Sequence, residues 1–301
     1  MVDILMATYN GEQYIEAQIL SIIAQVYKDW RLLIHDDGSK DSTLAIVRKW
    51  SQIDDRIKII DDGIRCGGAA QNFMHLLKYS DSEFIMFCDQ DDIWFDNKVE
   101  LMYSEIEQMD SSKPRLIYTN SYVWYPEHGI KGVATLTYAE NFQQLLFLNS
   151  GVQGCVAIFD SSVRELMKHY QGELSMHDHL LNLLGASLAN CRVLDLPLML
   201  YRNHNKNVTG RTKTNIVDYE TLRGLRNNPV ICSRHFETVE IFRKVYSEKL
   251  NNNQKKVIDA YLSMPDRSLF MRLILIVRYR FQLYGSIFLL ILKVCFKRYK
   301  A

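Results

Sequence analysis

The chain has 301 residues, of which 48% are hydrophobic, and its 36 Lys and Arg against 35 Asp and Glu leave a formal net charge of +1. This composition excludes a disordered linker and a collagen-like chain, and it predicts a protein that buries a sizeable core. The balanced charge argues against a protein that binds nucleic acid over its whole surface, so we expect no nucleic-acid partner.

The six cysteines are scattered along the chain, without a CxxC pair or the spacing of a zinc site. We therefore expect reduced thiols, as in proteins of the cytosol. The first apolar residues lead directly into the polar segment 8–10, without the basic and apolar regions of a secretion signal. Both features predict a cytoplasmic protein.

Apolar segments that are typical of strands alternate with segments of helical periodicity in the N-terminal third of the chain. We predict strands at residues 2–7, 30–35, 57–60 and 83–88, and helices at residues 14–23, 39–50 and 69–79. Ser39 or Asp41 is the expected N-cap of the second helix. Further along, we expect a strand at residues 116–118 and a helix at residues 178–188. The alternation predicts an α/β fold with a mixed, mostly parallel sheet that is flanked by helices, and ligands bind such sheets where the strands end.

Polar clusters follow three of the predicted strands. They are Thr8-Tyr9-Asn10, Asp36-Asp37-Gly38-Ser39 and Asp89-Gln90-Asp91-Asp92. Carboxylates as close as those of the third cluster repel one another unless a cation joins them, and Mg2+ or Mn2+ combines carboxylate ligands with water and substrate phosphates. The third cluster therefore suggests a nucleoside diphosphate site, and the alternative is a solvated loop in which Asp92 or Asp96 caps the next helix. Asp36 and Asp37 suit the donors of a base or ribose, although Asp and Ser are also ordinary turn residues.

The C-terminal region differs from the rest of the chain, and we divide the protein into a domain at residues 1–210 and a helical region at residues 211–301. Residues 265–301 carry eight Lys or Arg and one acidic residue. Their two apolar runs, residues 269–277 and 284–296, are shorter than the roughly 18–20 residues that a membrane span needs. This pattern favours helices that lie in the interface of an anionic membrane, and the alternative is a helical pair that packs on the rest of the chain.

The three polar clusters, in their order and spacing, resemble the N-terminal region of family 2 glycosyltransferases of the nucleotide-sugar-binding GT-A type. The matching segments are Ala7-Thr8-Tyr9-Asn10, Asp36-Asp37-Gly38-Ser39-Lys40-Asp41-Ser42 and Asp89-Gln90-Asp91-Asp92-Ile93-Trp94, the last in the place of the family's DxD motif. The last segment is similar to those of bacterial rhamnosyltransferase-like enzymes and of enzymes for capsule or lipopolysaccharide synthesis. The resemblance implies a GT-A fold and an inverting transfer of a sugar from a nucleoside diphosphate to an acceptor hydroxyl.

The resemblance also implies roles for individual residues. Mn2+ or Mg2+ held by Asp91, with Asp89 as a ribose or metal contact, would neutralise the departing diphosphate and so stabilise the transition state. Asp37 is the expected base contact, and Tyr9 is expected to stack on a pyrimidine. The other donor contacts that we expect are Thr8, Asn10, Asp36, Arg65 and Asn72. For Arg65 the alternative is a solvated side chain, and for Asn72 it is an ordinary loop before a helix.

An inverting transfer needs a general base within hydrogen-bond reach of the acceptor hydroxyl. Asp178 resembles the family's catalytic Asp, although this sequence has His177 where many members have Glu. The alternative is that Asp178 only interacts with the dipole at the start of a helix. A zinc site is not expected here, because His177 and His179 would face different sides of that helix.

The segment 201–210 resembles a late loop that closes over the donor in related enzymes. In that loop a histidine can bind the metal or the diphosphate, so His204 is an expected metal ligand. Arg202 and Lys206 would also suit an anion. The alternative is a polar surface loop whose cations are solvated.

Together these patterns predict a metal-dependent inverting glycosyltransferase for bacterial surface polysaccharide synthesis. The expected donor is dTDP-rhamnose or a UDP-hexose, and the expected acceptor is a lipid-linked saccharide at the inner face of the cell membrane. One alternative is a sugar nucleotidyltransferase, although the sequence lacks a GxxxxGK[ST] phosphate loop. The other is a non-catalytic membrane scaffold of the same fold, against which the carboxylates at the strand ends argue.

Overall fold

The computed structural model describes residues 1–148, 151–204 and 229–299. The chain forms two compact units, and each gathers segments that are separated in the sequence. The described parts of the first unit are residues 1–136, 153–168 and 189–204, and those of the second are residues 137–148, 151–152, 169–188 and 229–299. The predicted domain boundary at residue 210 lies outside the described residues and stays a prediction.

The first unit is built around one mixed sheet. Its strands are β1 (Val2–Thr8), β2 (Trp30–Asp36), β3 (Ile57–Ile59), β4 (Phe84–Asp89), β5 (Ile93–Trp94), β6 (Arg115–Tyr125), β7 (Gly129–Val133), β8 (Ala157–Asp160) and β9 (Asn190–Arg202). Their order is β3-β2-β1-β4-β8-β6-β9-β5, and β7 pairs with β6. The strands from β3 to β4 are parallel, as are β6 and β9, whereas β8 is antiparallel to both of its neighbours.

Helices flank this sheet and make up the second unit. They are α1 (Ile15–Ile23), α2 (Thr43–Ile53), α3 (Ala69–Leu76), α4 (Lys98–Glu107), α5 (Phe142–Leu145), α6 (Ser161–His169), α7 (His177–Gly185), α8 (Ser233–Val245), α9 (Asn252–Ser263), α10 (Leu269–Tyr279) and α11 (Ile287–Phe296). Helices α1 to α4 belong to the first unit, and α5 and α7 to α11 belong to the second. The predicted α/β fold with a helical C-terminal region is confirmed.

The parallel register brings the polar clusters to one edge of the sheet. Thr8 at the end of β1 is paired with Asp36 of β2, and the preceding Ala7 is paired with Asp89 of β4. Every residue from Val2 to Met6 is 0% exposed, because strands lie on both sides of β1 and its faces are covered. This burial explains why residues 2–7 are apolar apart from Asp3.

Helix α2 begins later than predicted, at Thr43 instead of residue 39. Ser39 binds the loop after β1, and Asp41 binds both that loop and the N–H of Thr43, the first residue of the helix, at 3.0 Å. The Ser39 hydroxyl accepts a hydrogen bond from the backbone N–H of Asn10 at 2.8 Å, and the Asp41 carboxylate accepts one from the N–H of Glu12 at 3.2 Å. The other predicted elements are present with shifted ends, and β6 is much longer than expected.

The second unit is helical in its described residues and has an aromatic core. The ring of Phe147 lies 5.3 Å from that of Tyr261 and 5.2 Å from that of Phe281. Residues 282 and 143 are joined by a backbone hydrogen bond of 3.0 Å. Within the described ranges, no helix combines the length and the hydropathy that a membrane span requires.

Asp3 is a fully buried carboxylate that ties together three segments of the first unit. Arg31 of β2 donates two hydrogen bonds of 2.9 Å to it, and the Ser80 hydroxyl donates a third at 2.8 Å. Burial raises the pKa of Asp3, but the hydrogen bonds from Arg31 and Ser80 outweigh burial and hold the pKa below its ordinary value. The charged form of Asp3 is therefore the one that the fold stabilises.

We expect Asp3→Ala to lower the free energy of unfolding by about 3 kcal/mol at neutral pH, because removing one partner of a buried ion pair leaves the other uncompensated. Urea denaturation followed by tryptophan fluorescence measures this in the first unit, which contains all four tryptophans. Because the folded-state pKa is lowered, the stabilisation is complete above the unfolded-state pKa and disappears as the pH falls through the folded-state value.

The matched control is Asp81→Asn, since Asp81 also pairs with Arg31 but its side chain is 78% exposed. We expect this exposed pair to contribute less than about 1 kcal/mol. Equal losses in the two variants would contradict the role of the buried network.

Candidate active site

The loop after β1 forms the first wall of the site. The hydroxyl of Thr8, which is 1% exposed, donates a hydrogen bond of 2.9 Å to the carboxylate of Asp36. The backbone of Tyr9 exchanges two hydrogen bonds with the amide of Gln90, at 3.0 and 2.9 Å. Gln90 thus holds the β1 loop beside the acidic segment. The Tyr9 side chain is 52% exposed, so its ring offers a surface on which a base can stack.

Asn10 and the turn after β2 hold each other in place. Asn10 has a φ of 46°, and its side-chain oxygen accepts a hydrogen bond of 2.8 Å from the N–H of Lys40. Asp36 accepts hydrogen bonds from the N–H of Gly38 at 3.1 Å and from the N–H and hydroxyl of Ser39 at 2.8 and 2.6 Å. The Asp36 carboxylate therefore shapes the turn, and the donor contacts expected for Thr8, Asn10 and Asp36 stay predictions.

Asp37 attaches the loop that precedes α3 to the end of β2. Its carboxylate accepts hydrogen bonds from the backbone N–H groups of Cys66, Gly67 and Gly68, the last at 3.0 Å. Gly67 has a φ of 75°, a conformation that favours glycine. Arg65 of the same loop donates a hydrogen bond of 3.1 Å to the backbone oxygen of Asp36. The expected donor contacts of Asp37 and Arg65 stay predictions.

Asn72 lies in α3 and its side chain is bound to His35 of β2. Its amide nitrogen donates to the backbone oxygen of His35 at 3.1 Å, and its amide oxygen lies 2.7 Å from the ring nitrogen Nδ1 of His35. Asn72 is only 1% exposed. These hydrogen bonds attach α3 to β2, and the donor contact expected for Asn72 stays a prediction.

Asp91 and His204, two of the expected metal ligands, meet although they are far apart in the sequence. The carboxylate oxygen Oδ2 lies 2.8 Å from Nε2 of His204, and the two side chains are 15% and 14% exposed. The His204 ring stacks on Tyr14 with 4.6 Å between the ring centres. Arg202 donates a hydrogen bond of 2.6 Å to the backbone oxygen of Asp91. These contacts bring the expected late segment to the acidic cluster, whereas Lys206 lies outside the described residues.

Of the other two carboxylates of the cluster, Asp92 is buried and Asp89 is partly buried, and their charges repel one another. Burial and the negative charge of Asp91 raise the pKa of Asp89 to about 7. Asp92 is 0% exposed, and burial, together with the charges of Asp91 and Asp89, raises its pKa well above the ordinary value. Its Oδ1 accepts a hydrogen bond of 3.0 Å from the N–H of Arg202, but within the described part of the chain its Oδ2 has no hydrogen-bond partner.

The side-chain types at the acidic cluster suit a divalent cation, and the metal site itself stays a prediction. Asp89 and Asp91 offer carboxylate oxygens and His204 offers a ring nitrogen, which together suit Mn2+ and also Mg2+. The potential ligand atoms of Asp89, Asp92 and Cys155 lie within 4.8 Å of one another. Burial raises the pKa of the Cys155 thiol well above its ordinary value, so the protonated sulfur does not suit a hard cation.

Lys98 lies close to the acidic cluster, and the sequence analysis did not single it out. It is 0% exposed, its ammonium donates a hydrogen bond of 2.6 Å to the backbone oxygen of Cys155, and it lies 3.8 Å from the centre of the Trp94 ring. Burial lowers the pKa of Lys98 to about 8, whereas the charges of Asp92 and Asp89 act in the opposite direction. A lysine in the first turn of a helix opposes the helix dipole, and this was the available sequence signal.

Asp178, the expected general base, lies in the first turn of α7 in the second unit. Its backbone oxygen accepts a hydrogen bond of 2.7 Å from the side chain of Asn182. His177 beside it is buried, and burial lowers its pKa to about 3, so this histidine is neutral. His179 lies 4.6 Å from the ring of His235. The catalytic role of Asp178 stays a prediction.

Sequence comparisons identify relatives among bacterial glycosyltransferases. The family model for glycosyl transferase family 2 matches residues 3–167. The dTDP-rhamnosyl transferase RfbG of Shigella flexneri is 30% identical over 234 residues, which are 74% of this chain and 79% of RfbG. The UDP-Glc:alpha-D-GlcNAc-diphosphoundecaprenol beta-1,3-glucosyltransferase WfgD of Escherichia coli is 36% identical over 159 residues, which are 52% of this chain and 59% of WfgD.

Solved structures with the same fold are also found. TarS 1–349 of S. aureus, in complex with UDP-GlcNAc, matches with a TM-score of 0.59 and 18% identity over 87% of this chain and 71% of that chain. The mannosyltransferase PcManGT of Pyrobaculum calidifontis, in complex with GDP-Man and Mn2+, has a TM-score of 0.55 and 13% identity over 98% of this chain and 85% of that chain. The family match covers more than half of the chain and confirms the resemblance noted in the motifs. The chain therefore belongs to glycosyl transferase family 2 and is a glycosyltransferase with the GT-A fold.

Proposed function

We propose that this enzyme transfers a sugar, with inversion and with the help of Mn2+ or Mg2+, from a nucleoside diphosphate to a saccharide hydroxyl in bacterial surface polysaccharide synthesis. The main support for the proposal is the contact between Oδ2 of Asp91 and Nε2 of His204, which lie 2.8 Å apart. The polar ends of β1, β2 and β4 lie at one edge of the same sheet. The names of RfbG and WfgD support dTDP-rhamnose or a UDP-hexose as the donor and a lipid-linked saccharide as the acceptor.

The diphosphate end of the donor is assigned to the acidic cluster and its cationic neighbours. Asp89, Asp91 and His204 would hold the metal ion, which when bound supplies positive charge to the leaving diphosphate. Arg202 adds a guanidinium that is oriented by its hydrogen bond to Asp91 and lies 4.3 Å from the ring of Trp124. A fixed cation stabilises the charge that develops on the leaving oxygen more than it stabilises the ground state.

The nucleoside end is assigned to the loops after β1 and β2. The exposed ring of Tyr9 would stack on the base, and the Asp36–Asp37 turn would receive the hydrogen bonds of the base and ribose. Arg65 and the loop of residues 66–68 form the other wall, which Asp37 holds through three backbone N–H groups. The hydrogen bonds within these loops fix them before the donor arrives, which reduces the entropy lost on binding.

On the acceptor side we assign the general base to Asp178. The acceptor oxygen attacks the anomeric carbon on the face opposite to the diphosphate, its proton passes to the Asp178 carboxylate, and the bond from the carbon to the phosphate oxygen breaks. Burial lowers the pKa of the neighbouring His177 to about 3, so this histidine is neutral. It therefore forms no ion pair with the Asp178 carboxylate.

We expect Asp91→Asn to abolish the metal-dependent part of donor binding and to reduce turnover by at least about a hundredfold, as is typical when charge stabilisation at a reacting centre is lost. A thermal-shift panel of UDP, dTDP, GDP and CMP, each with and without Mn2+, measures the binding, because a ligand of the native state raises the apparent stability. The matched control is Asp96→Asn, an exposed carboxylate that follows β5. Near-normal turnover of the Asp91 variant would contradict the metal assignment.

We expect Asp178→Asn to retain donor binding but to lose transfer by about a hundredfold or more, because the amide cannot accept the proton. Binding is measured by nucleotide-dependent thermal shift and transfer by release of the nucleoside diphosphate. Glu173→Gln, which changes an exposed acid in the segment before α7, is the control. Parallel losses of binding and transfer would argue for a structural role of Asp178.

We further propose that the enzyme is bound peripherally to the inner face of the cell membrane through α10 and α11. These helices present apolar side chains to solvent, with exposed fractions of 72% for Phe270, 60% for Val277, 66% for Phe288 and 80% for Phe296. Exposed cations border them at Arg267, Arg278, Arg280 and Arg298. Apolar side chains that enter the headgroup region next to cations that meet anionic lipids are the two components of interfacial binding.

For this surface we expect Phe270→Ser, Val277→Ser and Phe288→Ser together to weaken binding to vesicles of phosphatidylcholine and phosphatidylglycerol by about tenfold or more. Each side chain contributes on the order of 1 kcal/mol when it leaves water, and 1.4 kcal/mol corresponds to a factor of ten. Co-sedimentation measures the binding. The control is Ile53→Ser with Leu136→Ser, because these residues are 62% and 65% exposed but lie in the first unit. Equal binding of both variants would exclude α10 and α11 as the contact.

A further inference from the structure

A second group of metal-binding side chains lies in the first unit, outside the acidic cluster. His35 of β2 is 1% exposed, His75 of α3 is 7% exposed, and the side chain of Asp62, which follows β3, is 20% exposed. Nε2 of His75 lies 2.6 Å from Oδ2 of Asp62, and Nε2 of His35 lies 3.5 Å from Oδ1. One ligand atom from each residue can be chosen so that all three lie within 4.8 Å.

The hydrogen bonds of His35 determine which of its ring nitrogens has a lone pair. The backbone oxygen of His35 can only accept, so the nitrogen of the Asn72 amide faces it at 3.1 Å and the amide oxygen faces Nδ1 at 2.7 Å. Because that amide oxygen is also only an acceptor, Nδ1 must carry a proton. In the neutral ring, Nε2 therefore directs its lone pair toward the Asp62 carboxylate, and two acceptors face each other across 3.5 Å.

Either a proton or a metal ion between these groups removes the conflict, and the three converging ligands are of the types that zinc prefers. Two imidazole nitrogens and one carboxylate oxygen are a common protein ligand set for Zn2+, with one position left for water. Further hydrogen bonds orient the ligands, since the amide of Asn72 holds His35 and the hydroxyl of Tyr79 donates to Asp62. The partly exposed Asp62 provides a path from solvent to the two buried rings.

We propose that His35, Asp62 and His75 bind Zn2+ and that the ion fastens β2, the segment after β3 and α3 to one another. The Zn2+ ion replaces the proton between His75 and Asp62, and that proton is released to solvent. The ion would stabilise the loop of residues 61–68, whose last residues bind Asp37 at the nucleoside end of the donor site. This role is independent of the metal that the proposed function assigns to Asp91, because imidazole-rich sites select zinc over Mg2+.

The test is a Zn2+ titration of the full-length protein after dialysis against a chelator, with calorimetry to count the bound equivalents. We expect the wild type to bind one more equivalent of Zn2+ than His75→Gln or Asp62→Asn. In a parallel titration, Co2+ should give the intense visible absorption of a four-coordinate site in the wild type and lose it in both variants. Thermal unfolding of the metal-free variants checks that they fold.

Two controls make the result specific. Asp61→Asn changes the neighbouring carboxylate, whose side chain is 75% exposed, and should keep the full number of equivalents. Asp91→Asn should keep the equivalent that His75→Gln loses, which separates this site from the acidic cluster. Binding of the same number of Zn2+ ions by the wild type, His75→Gln and Asp62→Asn would overturn the proposal, as would a wild type that binds no Zn2+ at concentrations equal to that of the protein.

Discussion

The repulsion between carboxylates at the end of β4 is the constraint on which the structure of the first unit depends. Asp92 is fully buried and Asp89 is partly buried, each ionised group disfavours the others, and the pKa values of both are raised. The buried ammonium of Lys98 and the segment with Arg202 and His204 supply the nearby positive or metal-binding groups. Ionising all of these carboxylates without a cation costs free energy. Binding of a cation together with a diphosphate would remove that cost.

Several other acidic and polar side chains of the site are occupied by hydrogen bonds within the protein. Gln90 fixes the loop after β1, and Asp36 and Asp37 fix the turn after β2 and the loop before α3 through backbone N–H groups. These contacts link loops that come from different parts of the sequence. Since the loops are ordered by the protein itself, binding of the donor does not have to supply the free energy of ordering them.

The sequence was informative where the determining interactions are local. The apolar runs predicted β1, β2 and β4, and the polar clusters that follow them lie at one edge of the sheet. The predicted start of α2 was too early, because Ser39 and Asp41 bind the loop after β1 and the helix begins only at Thr43, whose N–H binds Asp41. Only the tertiary arrangement reveals these contacts with the β1 loop. Lys98 was missed for a similar reason, since its burial results from packing against Trp94 and Cys155. The role of Asn72 likewise depends on its contact with His35, which is 37 residues away.

The residues proposed for the donor and the residue proposed as the general base belong to different compact units. A nucleotide sugar diffuses freely, so the donor end needs only a rigid edge of the sheet, which the first unit provides. A lipid-linked acceptor would be confined to the membrane surface. Its hydroxyl would reach the proposed general base only if that base lay at a fixed distance from the surface. Asp178 and the exposed faces of α10 and α11 belong to the same unit. Within a compact unit, packing fixes the position of a catalytic side chain relative to a binding face more firmly than a linker would.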